Sequence, residues 1–172
     1  CASVGHAFTS VAESFYFNEH LSFERFSVQT FIDCWMDKCK APLVLRYFLD
    51  YIKKKGIYKE KDYPYTGIVN ECQLVEKTPH GDKCEVSQPF LNLGWYSECS
   101  STSYDCREEN IKEYLNDRGA ILTIIPITRE FQHYKSGLFI HNCKDRKKEF
   151  SITIVQRTHE YTKIRNSMSS TW

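Results

Sequence analysis

A chain of 172 residues, 41% hydrophobic and 15% aromatic, can bury a sizeable core as one domain or two small lobes without relying on crosslinks. Its formal charge of +1 gives no electrostatic reason to expect nucleic acid or an anionic membrane as a partner. No apolar run approaches eighteen residues and no signal-peptide pattern opens the chain, so no membrane span is expected.

The first half reads as helical. Phe8, Val11, Ala12 and Phe15 recur at helical spacing and predict a helix from Ala7 to His20. A short second helix is predicted over Ser27 to Asp33. A third runs from Pro42 to Lys55, with Val44, Phe48, Tyr51 and Ile52 on one face and Gly56 as its stop. Pro42 suits a first-turn position, where its missing N–H would be unpaired anyway. Lys53, Lys54 and Lys55 read as the solvated end of that helix, where cations favour the dipole.

After the turn-rich stretch Asp62 to Gly67 the pattern changes. One more helix is predicted from Glu108 to Asn116, carrying Ile111, Tyr114 and Leu115. The remaining signals are short β-rich runs: Phe90 to Trp95, Ala120 to Ile127, Phe150 to Val155 and Tyr161 to Arg165. A helical half followed by a stranded half argues for an α+β fold of two lobes. The left lobe is expected over about 1–86 and the right over about 87–172, with the crossing point at Gly81 to Gln88.

Eight cysteines are many for a reducing compartment. None falls in a C-x-x-C pair and no His pair has zinc-finger spacing, so neither a metal nor another cofactor is expected. The composition instead reads as a disulfide-bearing protein of an oxidising compartment. The chain opens on Cys1 and stops on Trp172 without a capped terminal element, which reads as a piece of a larger precursor, truncated at both ends.

Five motifs in order carry a resemblance. Cys1-Ala2-Ser3-Val4-Gly5-His6-Ala7-Phe8 leads into a helix, and Phe26-Ser27-Val28-Gln29-Thr30-Phe31-Ile32-Asp33-Cys34 follows. Gly56-Ile57-Tyr58-Lys59-Glu60-Lys61-Asp62-Tyr63-Pro64-Tyr65-Thr66-Gly67 comes next, then Phe131-x-x-Tyr134-x-x-Gly137-Leu138-Phe139. Tyr161-Thr162-Lys163-Ile164-Arg165-Asn166-Ser167-Met168 lies near the end. Together they resemble the papain-like, cathepsin L-type cysteine peptidase family across nearly the whole chain. The resemblance implies the papain-like two-lobe α+β fold, with a helical left lobe and an incomplete β-rich right lobe.

Chemistry of that family needs a thiolate at a helix N-terminus, its pKa depressed by the dipole and an imidazolium from the other lobe. An Asn orients the imidazole and an upstream Gln helps to bind the oxyanion. Here the cysteine is missing: counting forward from Cys1 places Val4 at the nucleophile, and counting back from Ala7-Phe8 places Gly5 there. The resemblance sets Phe150 at the histidine, within Glu149 to Thr158; His159 lies past that strand. Asn166 is the one matching member, the shielding Trp is Met168, and the Gln would precede Cys1. The family's G-C-x-G-G substrate loop corresponds to Lys38-Cys39-Lys40-Ala41-Pro42, and of its cleft positions Lys40, Ala41 and Pro42, Pro42 has no N–H to give a substrate chain. In subtilisin, loss of the nucleophile or histidine costs about 2 × 10⁶ in turnover.

By resemblance, Cys1 pairs with Cys39 and Cys34 with Cys72. Cys143 sits where the right-lobe cysteine follows the Gly137-Leu138-Phe139 strand, with its usual partner beyond Trp172. Cys84, Cys99 and Cys106 have no counterpart, and a Cys99–Cys106 pair would close a short loop. His6 is read as a side chain at the helix start filling the space of the lost Trp, against the sharper reading of a base acting on Ser3. His20, His80, His133 and His141 read as surface or loop residues, and Phe8, Phe15, Phe48, Phe131 and Tyr134 as packing.

The expected function is that of a papain-family homologue without peptidase activity, a monomer whose cleft binds peptide or protein, in a secreted, vacuolar or lysosome-like setting. The alternatives are a divergent endopeptidase working through Ser3 or other non-family residues, and a decaying gene fragment.

Overall fold

Helix α1 runs over Ala2–His20 and starts five residues before its apolar spacing predicts. The extra turn is stabilised by tertiary contact, since Gly5 is a poor helix former. Gly5 packs so closely on the second helix that a Cβ there would lie 3.1 Å from Phe31 Cδ1. Thr9 and Ser10 hydroxyls donate to the His6 carbonyl at 3.1 and 2.8 Å, local bonds that tie the first turns to the rest. The helix ends at Leu21, whose φ of 51° is left-handed and whose N–H donates to Phe17 O at 2.8 Å. The computed structural model describes residues 2–35, 57–73, 108–140 and 148–168.

Helix α2 spans Val28–Trp35. Ser27 is its N-cap: its Oγ accepts from Thr30 N–H at 3.0 Å and donates to Tyr63 O at 2.6 Å. Two further side chains of α2 fasten the turn-rich segment. Gln29 Nε2 donates to Ile68 O at 2.6 Å, while its Oε1 accepts from Thr66 N–H and Gly67 N–H at 2.9 and 3.1 Å. Asp33 accepts from Tyr63 Oη and Asn70 N–H, both at 2.8 Å. Gln29 is fully buried, so these bonds stabilise the segment and also meet the cost of burying an amide.

The Cys34–Cys72 disulfide closes the same clasp, as the resemblance implied, across a separation of 38 residues. A loop of that size is worth roughly 4 kcal/mol in the chain-entropy account. Residues Arg25 to Ser27 also pair with Tyr58 to Glu60 through an isolated antiparallel bridge at Phe26 and Lys59.

Helix α3, Glu108–Arg118, ends on Gly119. Gly119 has φ +94°, and a Cβ there would meet Ser14 Oγ at 2.5 Å. Only glycine combines this conformation with so close an approach to α1. The turn delivers strand β1, Ile121–Ile127, followed by a short helix α4 over Arg129–Gln132 that the spacing does not predict. Its signal is Thr128, whose Oγ1 caps Phe131 N–H at 3.2 Å. Strands β2, Lys148–Arg157, and β3, Thr162–Arg165, complete an open antiparallel sheet of order β1-β2-β3 among the described residues. Ile125 pairs with Phe150, and a bulge interrupts the β2–β3 register between Ile154 and Gln156.

The core gathers Phe8, Val11, Ala12, Phe26, Phe31 and Ile57, with Ala120 and Leu122 reaching it from the sheet side. Burying each large side chain contributes about 1.5–3 kcal/mol. Helix α1 thus packs on α2 with one face and on the sheet with another.

Several other boundaries move by one or two residues from expectation, as fraying ends and capping turns do. The helix expected over Ser27 to Asp33 starts one residue later, behind its cap, and that expected to end at Asn116 continues to Arg118 because Gly119 is the true stop. Strand β2 extends past both ends of the expected run. The expected helix from Pro42 to Lys55, the strand from Phe90 to Trp95, the crossing point at Gly81 to Gln88 and the Cys1–Cys39 pair lie outside the described residues. No described helix is long and apolar enough to cross a membrane.

Gly119→Ala should lower stability by about 1–3 kcal/mol, because alanine must hold a left-handed φ and displace Ser14; urea unfolding at neutral pH measures it. A second expectation concerns Tyr63. Burial and then its hydrogen bond to Asp33 push its phenol up to about 12. A folded pKa above the unfolded value of about 10 means that this stabilisation is complete below pH 10 and is lost as pH rises towards 12. Tyr63→Phe should therefore show a shallower loss of stability between pH 10 and 12 than the parent chain.

Candidate functional site

Asn166 directly follows β3, at the junction of α1 with the sheet. It lines a partly open cavity of about 80 Å³. His6, Ala7 and Ser10 enter it from α1, Ser151 and Thr153 from β2, and Arg165 and Ser167 from the end of β3. Strand alternation explains the β2 pair: Ser151 and Thr153, both buried, face α1, whereas Phe150 belongs to the other face. The Thr153 hydroxyl donates to Ala7 O at 3.2 Å and ties strand to helix.

The cavity is rich in donors. Asn166 Oδ1 accepts from Ser167 N–H at 2.7 Å, so its acceptor is already engaged. Its Nδ2 and the Ser167 Oγ are buried without a hydrogen-bond partner among the described residues. Ser10 has committed its hydroxyl proton to His6 O. Arg165 contacts Glu13 Oε2 at 3.4 Å while its side chain stays 55% exposed, an arrangement worth little as an ion pair.

His6 is half-buried, its ring edge-on to Tyr65 with centroids 5.2 Å apart. Burial, and next the Arg165 guanidinium, hold its pKa below the ordinary histidine value. The imidazole is therefore neutral near pH 7. No hydrogen bond joins it to Ser3, so the geometry offers no base–nucleophile pair there. The expectation that His6 lies at a helix start is corrected by the earlier beginning of α1: it sits one turn inside.

Of the two positions open for the nucleophile, Val4 packs against the core cluster and Gly5 against Phe31. Neither lines the Asn166 cavity. Phe150, set at the histidine by resemblance, lies on β2 but does not line it either. Lys40, Ala41 and Pro42, and the cysteines Cys1 and Cys39, lie outside the described residues. Sequence reasoning did not single out Ser10, Ser151, Thr153, Arg165 or Ser167. The available signal was two hydroxyl residues at alternate positions of the otherwise apolar run Phe150 to Val155.

Comparison with known proteins agrees with the architecture. The family model described as papain family cysteine protease matches residues 1–172. Peptidase 1 of Psoroptes ovis is 29% identical over 170 residues, covering 90% of this chain and 47% of that protein. Cysteine proteinase RD21A of Arabidopsis thaliana is 26% identical over 152 residues, covering 85% and 30%. The chain thus spans less than half the length of these relatives. Among solved structures, the Carica candamarcensis cysteine protease CMS1MS2 superposes with a TM-score of 0.71 at 18% identity, covering 99% of this chain and 74% of that one. The digestive procathepsin L 3 of Tenebrio molitor gives 0.68 at 19% identity, covering 99% and 54%. The fold is papain-like.

The depressed His6 pKa has a measurable consequence. A folded pKa below the unfolded value of about 6.5 contributes stability above pH 6.5 that is lost as pH falls through the folded value. His6→Phe should flatten the stability profile between pH 7.5 and 5.5 relative to the parent chain, read by denaturant midpoints across that range.

Proposed function

The chain belongs to the papain family of cysteine proteases, and we propose that it is a non-catalytic member whose cleft binds peptide or protein segments without cutting them. The carrying observation is the composition of the Asn166 cavity. Among the described residues that line it there is neither a thiol nor an imidazole from β2. On the motif resemblance, the family's cysteine position falls at Val4 or Gly5 and its histidine position at Phe150, which supports the reading.

Geometry supports the same reading from the helix side. A Cβ at position 5 would lie 3.1 Å from Phe31 Cδ1, so the buried Phe31 ring would have to give by a few tenths of an ångström. Reinstating a cysteine there would cost packing energy of about 1–3 kcal/mol. Asn166 has turned its carbonyl to the Ser167 N–H, so the group that orients an imidazole in the family is otherwise engaged. The Cys34–Cys72 bond supports an oxidising setting, secreted, vacuolar or lysosome-like.

A peptide-turnover assay combined with labelling by an epoxide-type cysteine protease inhibitor tests the proposal. No inhibitor adduct and no hydrolysis above buffer are expected from a chain that unfolds cooperatively. Inhibitor-sensitive cleavage would overturn the reading. Cleavage lost in Ser3→Ala or His6→Ala would point instead to a divergent endopeptidase.

A further inference from the structure

We infer that the cavity between α1, β2 and β3 is a carboxylate-binding pocket, and that a ligand's carboxylate is what this member's cleft recognises. The inference rests on the non-catalytic reading, since a pocket relieved of acyl transfer is free to hold an anion in its ground state.

The argument begins with unspent donors. Asn166 Nδ2 and Ser167 Oγ are buried at the cavity without partners among the described residues. Leaving two such groups unsatisfied carries their full desolvation cost, which an incoming acceptor recovers. Ser151 adds a hydroxyl, and neutral His6 one ring N–H. By contrast, the protons of Ser10 and Thr153 are already given to backbone carbonyls.

Charge then selects among acceptors. Arg165 brings the cation to the lining, and no carboxylate side chain joins it among the described lining residues. Glu13 touches Arg165 only at 3.4 Å, from outside the cavity, and leaves its guanidinium half-exposed. The field at His6 is correspondingly positive, because Arg165 adds to burial in lowering its pKa. A monoanion matches this single, partly compensated cation. A dianion such as sulfate or phosphate would bring a second charge with no second cation in the lining.

Size and shape point the same way. About 80 Å³ holds a few waters or one planar carboxylate with its first carbon. Two carboxylate oxygens accept from several convergent N–H and O–H groups at once, and charge-assisted bonds of that kind are roughly twice as strong as neutral ones. Waters are the competing occupants, and they satisfy the donors without using the charge. The carboxylate has two natural sources: a small free acid, or the C-terminus of a peptide lying in the cleft.

Titration calorimetry at fixed ionic strength decides it, with an N-acetyl dipeptide acid, its C-terminal amide, acetate and sulfate as probes. The acid should bind at least about tenfold more tightly than the amide. Ser167→Ala and Asn166→Leu should each weaken it by about tenfold, and Arg165→Gln should remove the acid–amide difference, in variants whose unfolding remains cooperative. Acetate competing with the peptide acid identifies a free-acid pocket; its failure to compete identifies a peptide C-terminus. Equal affinity for acid and amide, binding unchanged in Ser167→Ala and Asn166→Leu, or sulfate bound as well as the acid would overturn the inference. Acid binding alongside peptide turnover would sink the non-catalytic reading and leave the pocket standing; absence of both binding and turnover would do the reverse.

Discussion

Helix α1 has to satisfy two unlike neighbours at once, and the rest of the structure follows from how it does so. Towards α2 it presents Gly5, Phe8 and Ala12, an apolar stripe with a notch that admits Phe31. Towards the sheet it presents polar atoms: Ala7 O takes the Thr153 hydroxyl, and Ser14 Oγ accepts Ala120 N–H at 3.1 Å. Glu13 joins the two sides, being buried and accepting Phe26 N–H at 3.3 Å through one oxygen while facing Arg165 with the other. A helix held so cannot rotate to bring Val4 or Gly5 towards Asn166 without emptying the notch around Phe31.

The same constraint explains what could be read in advance and what could not. Phe8, Val11, Ala12 and Phe15 announce α1 because their period is set by burial on one side. Its first turn stayed hidden, since Gly5 and short polar neighbours look like a loop until Phe31 is seen to demand them. The strands were legible from β-branched runs, but the facing of Ser151 and Thr153 depends on a register that pairs Ser151 with Ile124. The clasp of Gln29 and Asp33 around Tyr63 to Asn70 is a set of contacts thirty or more residues apart, to which local periodicity is blind. Ordered motifs nevertheless pointed to the family and to the Cys34–Cys72 bond, because they report that long-range packing indirectly.

Polar satisfaction is uneven across the molecule. In the clasp, a fully buried Gln29 uses both ends of its amide, and Asp33 uses both oxygens. At the Asn166 cavity, by contrast, the buried atoms Nδ2 of Asn166 and Oγ of Ser167 have no hydrogen-bond partner among the described residues. Buried donors in native proteins are nearly always paired, so a local exception marks a place where something other than stability shapes the residues. The side chains of α2 that fasten the clasp spend their hydrogen-bonding groups on the fold, whereas Asn166 Nδ2 and Ser167 Oγ hold theirs at the cavity.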